Sequence, residues 1–99
     1  MNPATIYHRP LSEFAFATDG THYVFRLRTG KGEARSCRFF YADRAAMAPE
    51  LDFACLPMKK IREDRYFDWY EVRLETKLER IAYYFELSDG AETLCYFGD

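Results

Sequence analysis

Residues 21–29, THYVFRLRT, decide the fold, because apolar and polar side chains alternate along them with a period of two. The apolar set is Tyr23, Phe25 and Leu27, and the polar set is His22, Arg26 and Arg28. Successive side chains of a strand point to opposite faces of its sheet. The pattern therefore predicts a half-buried strand with one face toward a core and the other toward water.

The same alternation recurs in residues 34–42 and 79–89, and shorter strand-like segments lie at 5–8, 13–18, 56–61 and 92–97. The expected inward sets are Cys37, Phe39 and Tyr41 in the first segment and Ile81, Tyr83, Phe85 and Leu87 in the second, where Arg80, Tyr84 and Glu86 point outward. Turns that can supply positive φ separate the segments, at Asp19-Gly20, Gly30-Lys31-Gly32 and Asp89-Gly90.

Seven or eight short strands spaced in this way predict an all-β fold, an immunoglobulin-like antiparallel β-sandwich. Residues 43–54 are the exception, and we expect a loop with at most a short helix there, limited by Pro49. The length of 99 residues, with 48% hydrophobic and 18% aromatic residues, predicts a single domain over residues 1–99 with one core.

Charge and composition argue against several classes of function. Lys and Arg number 14 against 16 Asp and Glu, and the basic residues are scattered, which argues against a nucleic-acid partner. No apolar run is long enough for a membrane span, and the N-terminus lacks the pattern of a secretion signal, so we expect a cytoplasmic protein with no membrane partner.

Chemistry of catalytic or metal-binding type is not expected from these residues. The cysteines Cys37, Cys55 and Cys95 are widely spaced, and His8 and His22 are the only histidines, so no metal site, cofactor or nucleophilic triad is predicted. Free, mostly buried thiols in a reducing compartment are favoured over a disulfide plus one leftover thiol. Sixteen acids can form carboxylate pairs by chance, and on wet faces these are usually solvated. The Gly30-Lys31-Gly32 turn joins two strands, which is not the setting of a phosphate-binding loop.

Residues 65–75, RYFDWYEVRLE, raise the question of a binding surface. If Val72 and Leu74 face the core, parity places Tyr66, Asp68 and Tyr70 beside them and turns Phe67, Trp69 and Arg73 outward. An outward Trp69 could stack on a sugar ring while polar neighbours bind its hydroxyl groups. A bulge that buries Trp69, or packing of Trp69 under the 43–54 loop, are the alternatives.

Five segments in order resemble the N-terminal domain of neopullulanases, cyclomaltodextrinases and maltogenic amylases, classed as carbohydrate-binding module family 34. They are IYHRP (6–10), FAFA (14–17), FRLRTGKGEARSCRFFYADR (25–44), MKKIREDRYFDWYEV (58–72) and RIAYYFELSDGAETLCYFGD (80–99). The most telling pieces are an RLR-type hairpin at 26–33, a Tyr41-Ala42-Asp43 turn and the aromatic run that begins at Phe67-Asp68.

The resemblance implies a non-catalytic domain excised from a family 13 glycoside hydrolase, whose catalytic barrel would follow it. It also implies a homodimer in which the domain covers the partner's active-site cleft, and α-glucan partners: maltooligosaccharide, cyclodextrin, pullulan or starch. Many relatives carry a Tyr or Trp just after the turn at Asp43, where this chain has Ala45 and Ala46. The usual order of the aromatic pair is also changed here to Trp69-Tyr70.

These features are consistent with two functions. A third, a self-contained enzyme, is the least favoured. The first is α-glucan binding and dimerisation within a hydrolase, and the second is a protein-interaction sandwich without sugar binding. The candidate residues for a sugar site or dimer interface are Phe67, Trp69, Arg73, Tyr84 and Asp43.

Overall fold

A computed structural model of the chain describes residues 3–10, 12, 14–44, 53–78 and 80–97. Within these ranges it contains a 3-10 turn and eight strands, which confirms the all-β prediction. The elements are the turn Pro3–Thr5 and strands β1 Ala15–Ala17, β2 His22–Gly30, β3 Ser36–Asp43, β4 Ala54–Pro57, β5 Lys59–Glu63, β6 Phe67–Glu75, β7 Ile81–Ser88 and β8 Thr93–Tyr96.

The strands form two antiparallel four-stranded sheets that pack as a sandwich. The first sheet has the order β1-β2-β6-β5, and the second has the order β4-β3-β7-β8. Long central pairs, β2 with β6 and β3 with β7, form the middle of each sheet and run without a register shift. The rigid centre of each sheet therefore presents one face to the core and one outward.

The core lies between the sheets and is built from the inward sets that the alternation predicts. Phe39 and Phe85 of the second sheet and Leu27 of the first are fully buried, and Phe25 stacks on Phe39 with ring centroids 4.5 Å apart. Each such side chain contributes about 1.5–3 kcal/mol by leaving water. The buried cluster comprises Ile6, Ala15, Phe25, Leu27, Ala34, Cys37, Phe39, Tyr70, Val72, Leu74, Phe85 and Leu87.

The segment 26–33 is not the hairpin that the sequence suggested. Its first half lies in β2 of the first sheet, and the chain then crosses to β3 of the second sheet. Gly32 takes a positive φ of 72° in this crossover, and its amide donates to the Oδ2 of Asp68 at 2.9 Å. Asp68 is 1% exposed, as parity predicted, and Lys60 Nζ lies 3.7 Å from it. The buried carboxylate thus fixes the crossover against β6.

Two of the shorter strand predictions need correction. Residues 56–61 do not form one strand, because the chain leaves the second sheet at the end of β4 and enters the first with β5, changing sheets at Met58. Residues 5–8 are not a strand but the end of a 3-10 turn followed by a single bridge between Tyr7 and Arg28. In both places the segment is too short for its composition to determine its pairing.

His8 is a buried structural residue that joins the N-terminal segment to both sheets. Its Nδ1 lies 2.7 Å from the carbonyl oxygen of Arg26, and its Nε2 lies 2.8 Å from the hydroxyl of Tyr83. Since a carbonyl can only accept, Nδ1 carries a hydrogen and donates it to Arg26. These two hydrogen bonds fix the ring of His8 between the sheets.

The start of β6 differs from the parity prediction. Tyr66 is 65% exposed rather than inward, because it lies in a turn before the strand begins. In that turn the Oδ1 of Asp64 accepts from the amides of Tyr66 and Phe67 at 2.8 and 2.9 Å. Among the described glycines, positive φ occurs at Gly32 and Gly90 but not at Gly20. The predicted 43–54 loop falls mostly on residues 45–52, which lie outside the described residues.

Candidate functional site

The outward face of the first sheet carries Trp69 at its centre, between two arginines. In the strand register Arg28 of β2 and Arg62 of β5 both pair with Trp69 of β6. We call these three residues the Trp69 row. A register shift between Lys60 and Arg62 lies in β5, not in β6, so it leaves Trp69 on the outer face, as parity predicted. Trp69 is half-buried by its neighbours.

Aromatic rings hold Arg28 in place from two sides. Its guanidinium carbon lies 4.1 Å from the ring centroid of Phe67 and 4.9 Å from that of Tyr7. Phe67 in turn meets Trp69 edge to face, with centroids 5.8 Å apart. The Nε of Arg28 is buried and has no hydrogen-bond partner in the described part of the chain. Such stacking fixes the plane of the guanidinium.

Arg62 covers the ring of Trp69, with its guanidinium carbon 4.5 Å from the centroid. This contact helps to explain why the indole is half-buried on an outer face of the sandwich. A cation over an indole gains about 0.5–1 kcal/mol at an exposed site. The Trp69 surface is therefore an arginine-capped ring rather than a bare platform.

The neighbouring row on the same face carries an acid at its centre. Glu71 lies beside Trp69 along β6 and accepts from Arg26 Nε at 2.9 Å and from Arg73 Nε at 3.1 Å. Burial raises the pKa of Glu71, but the hydrogen bonds from Arg26 and Arg73 outweigh it, so the net pKa is lowered. Arg73 is thus engaged in an ion pair with Glu71 on the predicted outward face.

An open groove of about 520 Å³ runs beside the Trp69 row. Three arginines and three rings line it, together with one serine. The lining residues are Tyr7, Arg9, Ser12, Phe14, Arg28, Arg62 and Trp69. Planar rings beside polar groups match an amphipathic ligand such as a sugar, and guanidinium groups match hydroxyl or anionic oxygens.

The outward face of the second sheet carries a different cluster, centred on Tyr84. Phe40 stacks on Tyr84 with parallel planes and centroids 4.8 Å apart, while Phe53 and Phe97 each lie 5.2 Å from it. We call these four residues the Tyr84 cluster. Phe53 and Phe97 are 39% and 65% exposed. Burial raises the pKa of Tyr84, and the cluster is an apolar surface.

The structure does not bring the five candidate residues into one site. Phe67, Trp69 and Arg73 share the outer face of the first sheet, whereas Tyr84 lies on the outer face of the second. Asp43 ends β3 of the second sheet, where it pairs with Ile81. There are therefore two separate surfaces on opposite sides of the sandwich.

Comparison with known proteins agrees with this architecture. The model of the family described as "Alpha amylase, N-terminal ig-like domain" matches residues 1–99. The chain belongs to this family. The match covers the whole sequence, so both outer faces lie within the domain that defines the family.

Relatives of this Ig-like domain carry names of α-glucan enzymes. Neopullulanase 2 of Thermoactinomyces vulgaris is 34% identical over 95% of this chain and 16% of its own length. The intracellular maltogenic amylase of Bacillus subtilis (strain 168) is 31% identical over 99% of this chain and 17% of its own. A solved cyclomaltodextrinase covers 97% of this chain and 16% of its own, with a TM-score of 0.84 and 28% identity. The domain therefore spans about one sixth of these relatives.

The thiols of the Ig-like domain divide between the core and the second face. Cys37, Cys55 and Cys95 are all free, but only Cys37 is buried, so the expectation of mostly buried thiols is wrong for the other two. Cys55 lies opposite Phe40, and Cys95 lies opposite Glu86, on the two edge strands. Parity in such short edge strands is too weak a signal to predict which side they expose.

The described ranges hold no group of three His, Cys, Asp or Glu side chains placed to bind a metal ion. Nor does any helix in those ranges have the length and apolarity that a bilayer crossing requires.

Sequence reasoning missed the residues that give each face its character. Arg28 and Arg62 flank Trp69 only because three strands align, and Arg62 depends on the shift in β5. Phe40 could have been found, since it alternates with the inward Phe39 in the same strand. Phe53 and Phe97 lie just outside β4 and β8, where no strand pattern identifies them.

Proposed function

We propose that this domain is a non-catalytic module of an α-glucan hydrolase of the neopullulanase and cyclomaltodextrinase type. In that enzyme it binds α-glucan on the Trp69 face, takes part in homodimerisation and shapes the active-site cleft of the partner subunit. It precedes a catalytic barrel in the same chain and needs no cofactor of its own. The ligands are maltooligosaccharide, cyclodextrin, pullulan or starch.

The observation that carries the sugar-binding role is the Trp69 face itself. It combines two adjacent rings, Phe67 and Trp69, with the charged side chains of Arg28 and Glu71 on the rigid β2 and β6 pair. Apolar planes and hydrogen-bonding groups at fixed spacing suit the two sides of a pyranose ring. The names of the relatives, neopullulanase, cyclomaltodextrinase and maltogenic amylase, support an α-glucan as the ligand.

The proposed compartment is the cytoplasm. Three free cysteines in 99 residues are typical of a reducing environment. The relative from Bacillus subtilis is named as intracellular. Both features support the same assignment.

Calorimetric titration of the domain with maltoheptaose and with β-cyclodextrin tests sugar binding. We expect binding that Trp69→Ala and Phe67→Ala weaken by roughly fivefold or more, since each removes a ring contact of about 1 kcal/mol. Phe97→Ala is the control, because Phe97 is an exposed ring on the opposite side of the sandwich. Unchanged binding in Trp69→Ala would exclude the Trp69 face as the sugar site.

A protein-interaction domain without sugar binding is the second candidate, and the Tyr84 cluster favours it. Four contiguous rings with an apolar, partly exposed surface are typical of the centre of a protein interface. This candidate predicts no response to either sugar, in the domain or in the full-length protein. It also predicts that substitution within the Tyr84 cluster disrupts assembly.

A further inference from the structure

Two adjacent rows on the outer face of the first sheet differ in how their positive charge is compensated. In one row Glu71 lies on the central strand β6, opposite Arg26 of β2, and forms an ion pair with it. In the Trp69 row the central position holds an indole, so Arg28 and Arg62 have no acid between them. Among the described residues, no carboxylate oxygen lies within 4 Å of either guanidinium. The Trp69 row therefore concentrates uncompensated positive charge.

Stacking leaves the guanidinium edges of this row available to a ligand. The guanidinium carbon of Arg28 lies 4.1 Å from the ring centroid of Phe67, and that of Arg62 lies 4.5 Å from the ring centroid of Trp69. The N–H donors of a guanidinium point outward in its plane, so a stacked arginine can still bind an oxyanion along its edge. The Nε of Arg28 is buried, so the terminal nitrogens of its guanidinium are the donors that a ligand can reach.

The surroundings reinforce the preference for an anion. Arg9 adds a third guanidinium to the groove, and Tyr7 lines it as well, whereas the hydroxyl of Ser12 already donates to the carbonyl oxygen of Arg9. Asp64 also feels the charge of Arg62, and its carboxylate accepts from two backbone amides, which lowers its pKa. Among the described residues, the lining of the groove holds three cations and no acid.

We infer that the groove beside the Trp69 row is an oxyanion subsite that takes a phosphate monoester, with Arg28 and Arg62 as the principal ligands and Arg9 in support. Arginine forks match the oxygens of a phosphate group in geometry and charge. The adjoining rings of Phe67 and Trp69 take the sugar that carries it, so the ligand is a phosphorylated glucose unit of an α-glucan. The inference rests on the proposed sugar-binding function only for that sugar; the anion site stands on the arginines alone.

Nitrogen-15 NMR titrations of the domain test the subsite directly, with the indole N–H of Trp69 and the Nε–H of the arginines as probes. The ligands are inorganic phosphate, glucose 6-phosphate and unmodified maltose. We expect phosphate and glucose 6-phosphate to shift the signals of Trp69, Arg28 and Arg62, with tighter binding of the sugar phosphate. Added sodium chloride should weaken both, because the groove is open to solvent.

Two variants and a matched control complete the design. Arg62→Gln removes an exposed guanidinium and should weaken glucose 6-phosphate binding by roughly tenfold. Arg28→Gln should do the same, and it is interpreted only if its spectrum is that of the folded domain. Arg38→Gln is the control, since Arg38 also lies over a ring, that of Phe40, but on the second sheet and paired with Glu86. It should leave the affinity unchanged.

Each outcome decides between the possible sources of the anion. Equal affinity for phosphate and glucose 6-phosphate would overturn the assignment to a phosphorylated glucan and identify free phosphate as the ligand. No shift with either anion, or equal losses in Arg62→Gln and Arg38→Gln, would overturn the subsite. A response to phosphate but not to maltoheptaose would support the subsite and count against the sugar-binding proposal, and the reverse result would do the opposite.

Discussion

The two outer faces of this sandwich are both rich in aromatic rings, but the rings contact different partners on each face. On the first sheet each ring is paired with a cation: Phe67 with Arg28, and Trp69 with Arg62. On the second sheet the rings pair mainly with one another, and Phe40 and Tyr84 lie in parallel planes 4.8 Å apart. The same residue type therefore builds a polar surface on one side and an apolar one on the other.

The difference indicates what each face can bind. A guanidinium beside a ring provides donors and an apolar plane together, which suits a ligand with hydroxyl or phosphate groups. A cluster of rings that contact mainly one another, with Arg38 over Phe40 as its charged neighbour, gains most by excluding water over a broad area, which suits a protein surface. We therefore propose sugar recognition on the Trp69 face and assembly contacts at the Tyr84 cluster.

The largest expected difference is in the rates at which the three cysteine thiols are labelled. Burial raises the pKa of Cys37 to about 12, so its thiolate is scarcer by roughly a thousandfold than that of an ordinary thiol. In the isolated domain, we expect Cys55 and Cys95 to react quickly with a soluble disulfide reagent, and Cys37 to react only on unfolding. In a full-length dimeric protein, Cys55 and Cys95 should become protected, because they flank the Tyr84 cluster.

The control for this labelling is the single variant Cys37→Ser, in which the number of fast thiols should stay at two. Fast labelling of Cys55 and Cys95 in the assembled dimer would show that the second face stays open. That result would contradict the assignment of assembly contacts to it.

Substitution within the Tyr84 cluster comes next in magnitude. Tyr84→Ala removes the ring that contacts the other three, and a central interface residue of this kind costs about 2 kcal/mol or more. The dissociation constant of the proposed dimer of the full-length protein should rise roughly 30-fold, as measured by analytical ultracentrifugation. Trp69→Ala, on the opposite face, should leave it unchanged. A dimer that Trp69→Ala breaks and Tyr84→Ala does not would reverse the assignment of the two faces.

Much of the fold could be predicted from the sequence, because strand parity is a local property. Alternation alone identified the inward sets of β2, β3 and β7, and it turned Phe67 and Trp69 outward with Asp68 and Tyr70 inward. It failed at Tyr66, where the Asp64 turn precedes the strand and parity does not apply.

Which strands pair could not be read from local pattern. The 26–33 segment has the composition of a hairpin, but Gly32 and the buried Asp68 support a crossover between sheets instead. The Trp69 row also depends on strand pairing. Arg28 and Arg62 come from strands far apart in sequence, and both lie beside Trp69 only because of the strand register. A single residue of slip would move each arginine to the other face.

Removing Arg62, which covers the ring of Trp69, should change ligand affinity by a smaller factor. The direction of the change should differ between a neutral sugar and a sugar phosphate. Arg62→Ala uncovers the indole, and the lost contact is worth about 0.5–1 kcal/mol. Neutral maltoheptaose should therefore bind two- to fivefold more tightly by calorimetry, whereas glucose 6-phosphate should bind more weakly. Weaker binding of both ligands would mean that Arg62 contacts the sugar itself rather than covering its platform.

Loss of the ion pairs of Glu71 should give the smallest effect, a change in the free energy of unfolding. The pH dependence of that change separates the contribution of the Glu71 charge. The folded pKa of Glu71 lies below its ordinary value of 4.5, so its contribution to stability is complete above about pH 4.5 and is lost as the pH falls through the folded pKa. Glu71→Gln should therefore lower the free energy of unfolding near neutral pH by on the order of 0.5 kcal/mol. Urea unfolding between about pH 7 and pH 3 should show the two proteins converging in acid. A difference that stayed constant over that range would assign the effect of Glu71 to packing and not to its charge, and the acid-compensated row would no longer contrast with the Trp69 row.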